Sequence, residues 1–122
     1  METGQTRSQT LLVLTNLPDE ATAQALAMAL VSERLAACVN VMAPCRSIYR
    51  WRGEIESTLE VPLLIKSTTA RYAALEAAIR ARHPYELPEI VAVPIAHGLP
   101  EYLAWVATET LLEPADGNPA QC

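Results

Sequence analysis

Apolar positions along the chain follow two spacings, and the switches between them mark the elements. Leu11-Leu12-Val13-Leu14 is a short continuous apolar run, the pattern of a buried strand. Pro18, Asp19 and Glu20 then open a helix, because proline suits a first turn and acids there complement the helix dipole. Ala23, Leu26, Ala27 and Leu30 recur at helical spacing and give that helix one apolar stripe. Cys38 to Met42 predicts a second strand, closed by Pro44. Beyond it, Ser47, Tyr49 and Trp51 alternate with Ile48, Arg50 and Arg52, the period of a strand with two unlike faces. Gly53 permits a reversal, and Ile55 to Ser67 returns as an extended segment. Pro62 is awkward in that strand, since it removes a ladder donor and belongs at an edge or a bulge.

Thr69 is the expected cap of a second helix, on which Tyr72, Leu75 and Ile79 share a face. Ile90 to Ile95 predicts another strand, and Pro100 with Glu101 opens a last helix carrying Tyr102, Trp105, Val106 and Glu109. The order is strand, helix, long strand pair, helix, strand, helix. Two split βαβ units of this kind make a ferredoxin-like α/β (α+β) sandwich with helices on one face. Tyr49 and Trp51 lie on a hairpin longer than such a sheet can cover, and an uncovered apolar edge pairs with another chain. The pattern therefore predicts a closed homo-oligomer in which hairpins add strands to neighbouring sheets.

Composition narrows the class. At 122 residues the chain is one domain, expected over residues 10–112, with loose tails at 1–9 and 113–122. Half of it is hydrophobic but Phe is absent, so Leu, Ala, Val and Ile must fill the core. A net charge of -5 argues against a partner that presents a phosphate backbone, and nucleic acid is not expected. The opening METGQTRSQT has no apolar stretch of signal-peptide length and no later run approaches a membrane span, so cytoplasmic residence is the expectation. Cys38, Cys45 and Cys122 are odd in number and form no CxxC pair, which points away from a disulfide framework or a structural zinc site.

The chemistry concentrates in Arg82-His83-Pro84-Tyr85-Glu86-Leu87-Pro88-Glu89-Ile90. Each proline biases its predecessor toward extended geometry, so His83 ends the second helix and Leu87 is already strand-like. An imidazole beside Glu86 and Glu89 is a candidate ligand for Cu(II) or Zn(II). It is equally a helix-closing residue at the negative end of the dipole. Lys66 is a candidate counter-charge for Glu60, Glu86 or an anionic ligand. Trp51, Tyr85 and Trp105, with Tyr49 and Tyr102, are candidates to line a ligand cleft or to anchor an interface. Cys45, beside Arg46, is a candidate exposed thiolate. No GxSxG, HExxH or phosphate loop occurs, and no nucleophile–base–orienter set supports an enzyme.

Five ordered motifs carry a family resemblance: Leu35-Ala36-Ala37-Cys38-Val39-Asn40-Val41, Ser47-Ile48-Tyr49-Arg50-Trp51-Arg52-Gly53, Leu64-Ile65-Lys66-Ser67, His83 to Ile90, and Tyr102-Leu103-Ala104-Trp105. Over about residues 10–112 the sequence resembles the CutA divalent-cation tolerance proteins. That resemblance implies a ferredoxin-like, P-II-like fold and a homotrimer built by hairpin exchange. It also implies binding of a divalent metal, copper foremost, or of a small effector in clefts between subunits, and no reaction. A ligand-free anchoring trimer is the further alternative. Some members carry a cysteine and a His-His pair proposed for copper. Thr15 and Arg82 stand at those places here, which leaves His83.

Overall fold

The computed structural model describes residues 8–112. The expected tail segments 1–7 and 113–122, with Cys122, lie outside the described residues. Eight elements follow in order: β1 Thr10–Leu17, α1 Glu20–Ser32, β2 Cys38–Val41, β3 Cys45–Trp51, β4 Glu54–Thr68, α2 Thr69–Arg82, β5 Val91–Pro94 and α3 Pro100–Glu109. All pairings are antiparallel. The sheet runs β2-β4-β1-β5, with β3 also paired to β4. Taking β2 and β3 as one interrupted strand, this is the order of a ferredoxin-like sandwich, as the alternation predicts. Among the described residues no helix is long and apolar enough to cross a membrane.

Alternation decides which sheet face is covered. Leu11, Val13 and Leu17 of β1 and Val61, Leu63 and Ile65 of β4 are buried against Ala23, Leu26 and Leu30 of α1 and Leu75 and Ile79 of α2. Leu12, Leu14, Leu64 and Lys66 take the other face, opposite Val93, Val91, Asn40 and Cys38 respectively. There Val91 and Val93 are about half exposed. Helix α3 packs against β4 and β1 from this second side, its Tyr102 hydroxyl meeting Cys38.

Three local details differ from the sequence reading. Asp19, not Pro18, sets the start of α1: its carboxylate accepts from Thr22 N–H at 2.8 Å. Thr69 is not the cap of α2. Thr68 holds that position without a side-chain bond, while the Thr69 hydroxyl accepts from Gln9 N–H at 2.9 Å. That contact, and Thr69 N–H donating to the Gln9 carbonyl, ties Gln9 to the start of α2, so the described contacts reach back to residue 9.

Pro62 sits where its missing donor has no use. Val41 pairs with Leu63 and Cys45 with Glu60, so the three residues Met42, Ala43 and Pro44 oppose the two residues Val61 and Pro62. At this bulge the ladder passes from β2 to β3. The Pro62 carbonyl accepts from Met42 N–H at 2.9 Å, which sets its ring nitrogen toward the same gap. The hairpin tip is a two-residue turn in which Arg52 (φ 51°) and Gly53 (φ 84°) are both left-handed, the type I′ geometry that matches strand twist.

Candidate functional site

Strand alternation gives the β3–β4 ribbon two chemically distinct sides. Cys45, Ser47, Tyr49 and Trp51 stand opposite Glu60, Thr58, Glu56 and Glu54, so one side is aromatic and acidic. Arg46, Ile48 and Arg50 stand opposite Leu59, Ser57 and Ile55, so the other is apolar and basic. On that second side Ile48 and Ile55 are each 70% exposed, an apolar surface with nothing against it in one chain.

Residues Ser47 to Trp51 of the ribbon, Ile48 and Arg50 among them, form one wall of a cleft of about 1010 Å³. The segment Pro84–Val91 forms the facing wall, and Asn16 and Glu60 also line it. Pro84 ends α2, and the chain then bends at Tyr85, Glu86 and Leu87 to run past the ribbon, so Leu87 is not yet strand as expected and β5 begins only at Val91. The tip closes one end: Arg52 Nη2 donates to Glu86 Oε1 at 2.9 Å, with its guanidinium 5.0 Å from the centre of the Trp51 ring.

His83 lies behind the wall. It is the C-cap of α2, its N–H donating to the Ile79 carbonyl, and it is buried. Its Nε2 meets the Asn16 carbonyl at 2.7 Å, and its Nδ1 accepts from Tyr85 N–H at 3.2 Å. A carbonyl can only accept and a backbone N–H can only donate, so the ring is the neutral Nε2–H tautomer with neither nitrogen free. Burial holds its pKa below the ordinary 6.5, against the opposing pull of the Asn16 carbonyl and the Glu60 charge. The ring packs on Tyr85 at 4.7 Å between centroids. Tyr85 is itself held protonated far above the usual phenol range, first by burial and next by a hydrogen bond to the Glu60 carboxylate.

Asn16 fastens both ends of the facing wall. Its carbonyl accepts from His83 Nε2–H, and its side-chain Nδ2 donates to Glu89 Oε1 at 3.1 Å. Pro84 to Ile90 is thereby tied to a single residue of β1.

Of the sequence candidates, Trp51, Tyr85, Glu86 and Glu89 converge on this cleft. Lys66 does not: it lies on the α3 side of the sheet and donates to the Asn40 side-chain oxygen. The expected pairing of Lys66 with Glu60 or Glu86 is therefore replaced, for Glu86, by Arg52 of the same chain. Trp105 packs on Tyr102 at 5.5 Å within α3, away from the lining. Asn16 and the tie it makes escaped the sequence, where a polar residue near a strand end carries no distinguishing signal. Glu60 carried one: a lone acid before Val61 in an otherwise apolar run.

As to a metal, no three His, Cys, Asp or Glu side chains among the described residues converge to hold an ion. With both His83 nitrogens engaged, one chain's donors do not compose a copper cage.

Comparison with known proteins fixes the family. The sequence model of the CutA1 divalent ion tolerance proteins matches residues 11–109. The chain belongs to this family. A divalent-cation tolerance protein CutA of Thermus thermophilus is 50% identical over 99 residues, 81% of this chain and 96% of that protein. A solved Cut A1 structure from the same organism superposes with a TM-score of 0.81 at 48% identity, covering 83% of this chain and 98% of that one. A structure described as a PII-like protein CutA from Nostoc sp. PCC 7120 in apo form gives 0.78 at 41% identity, over 84% and 99%. One from Archaeoglobus fulgidus, described as a periplasmic divalent cation tolerance protein, gives 0.81 at 31% identity, over 84% and 99%. The alternation of elements predicts the ferredoxin-like sandwich, and the resemblance its CutA, PII-like form.

Proposed function

We propose that this CutA chain acts as a non-enzymatic homotrimer that responds to divalent cations, copper foremost, with the cleft between hairpin and Pro84–Val91 as its ligand-facing surface. The observation that carries the reading is the two-sided ribbon. Tyr49, Trp51 and Glu60 help wall a cleft, while the apolar Ile48 and Ile55 stay largely exposed within one chain. Glu60, Glu86 and Glu89 reach the cleft from one copy. A divalent ion needs more donors than these, so the ligand set is completed by a second copy. Cytoplasmic residence fits the free thiols of Cys38 and Cys45.

A second reading is a PII-like role, a small effector held in the same cleft. The cleft's volume, close to the upper range of small-molecule pockets, and its aromatic wall favour it. Sedimentation at low concentration together with titration by Cu(II) and Zn(II) tests both. The trimer reading requires a mass three times that of the chain and heat on adding metal. A monomer that is fully folded by circular dichroism overturns it. Equal copper binding by the wild type and His83→Ala removes the imidazole from the ligand set.

A further inference from the structure

Glu60 is a carboxylate only 8% exposed, yet none of the ion pairs among the described residues includes it. The Tyr85 hydroxyl donates to it, and the His83 ring, neutral as the Nε2–H tautomer, lies close enough to feel its charge without supplying a cation. That hydroxyl satisfies one lone pair of a group that has about four acceptor sites. A buried acid without a cation is costly, and it marks a place where a positive charge is wanted.

The wall beside it already holds such a charge. At the hairpin tip a guanidinium, that of Arg52, rests on the Trp51 ring and pairs with Glu86. Ring, carboxylate and planar cation are all present there. Deeper in the cleft, Glu60 stands with Tyr49 and Tyr85, the same ring-and-carboxylate combination without the cation. Strand alternation sends Arg46 to the opposite side of the ribbon, and Arg50, which lines the cleft, makes no ion pair with Glu60 among the described residues.

We propose that the cleft binds a small organic cation, an alkylammonium or guanidinium compound, with Glu60 as its counter-charge and Tyr49 and Tyr85 as its aromatic walls. The proposal rests on the effector reading of the cleft and names the ligand class. A metal ion requires several converging donors, which the described residues do not supply, whereas an ammonium needs one carboxylate and ring faces. The cleft also exceeds what a single ion fills.

Calorimetric titration of the full chain with putrescine, 1,4-butanediol and succinate separates charge from shape. Putrescine should bind, and its neutral and anionic counterparts should not. Glu60→Gln should weaken putrescine about tenfold. Tyr49→Leu, at a position 41% exposed and outside the core, should weaken it severalfold and serves if the buried variant misfolds. Equal binding of butanediol, or indifference to both substitutions, overturns the proposal. Sedimentation and copper titration on the same samples keep the two readings apart. A trimer that takes up copper but ignores putrescine defeats the organic-cation site alone. A folded monomer that binds putrescine through Glu60 defeats the trimer and leaves the site standing.

Discussion

His83, with Asn16, shows how one side chain carries two readings. In sequence, an imidazole beside two acids suggests a ligand; in the fold both its nitrogens are spent joining α2, β1 and the facing wall. His83→Ala strands the Asn16 carbonyl and the Tyr85 N–H, and a loss of about 2–3 kcal/mol by urea denaturation is expected. The pH dependence has a definite sign. Because burial lowers the folded-state pKa below 6.5, the unfolded chain binds the proton more tightly. The stabilisation is therefore complete above 6.5 and drains away as pH falls from there toward the folded value. Denaturation midpoints between about pH 7.5 and 5 should fall for the wild type, and that fall should be smaller in His83→Gln. The histidine itself was legible from its neighbours Pro84 and Arg82. Its tautomer was not, because that depends on a carbonyl 67 positions away.

Among the elements, the strands and helices were legible wherever one face is buried, as in Leu11-Val13-Leu17 or Leu26-Leu30, because burial there obeys a fixed period. Caps and bulges were less so, because they turn on single hydrogen bonds: Thr69 was expected to cap α2 and instead holds Gln9. Pro62 looked misplaced in a strand until its opposite number proved to be a bulge. Pro62→Ala should accordingly change stability by less than about 1 kcal/mol, since no ladder bond is waiting to be restored. At the tip, Gly53→Ala meets no atom within 4 Å but must adopt φ 84°. A loss of about 1 kcal/mol in thermal unfolding is expected from backbone strain alone.

For the whole molecule, the exposed apolar side of the ribbon decides behaviour. Ile55→Asp replaces a residue 70% exposed, so the core that it leaves untouched should keep its circular dichroism. Sedimentation should nevertheless show dissociation, through a desolvated charge placed in the proposed contact. Retention of the wild-type mass would assign the contact to some other surface. The sequence carries the proposed assembly only as a need, from an apolar pattern too long for its own sheet. Its geometry is not legible there, since a sequence of one chain does not say which side of a ribbon meets which.

Because the ribbon's two sides differ, pressing like against like sets Arg46 and Arg50 of one copy against the same arginines of another. Contact by unlike sides is directional, and such a contact propagates from copy to copy until rotation brings the last back to the first. In the proposed trimer the Met42–Pro44 bulge, where the ladder passes from β2 to β3, sets the direction of the ribbon and with it whether the ring closes. Deleting one of its three residues should turn discrete particles into fibres visible by negative-stain microscopy.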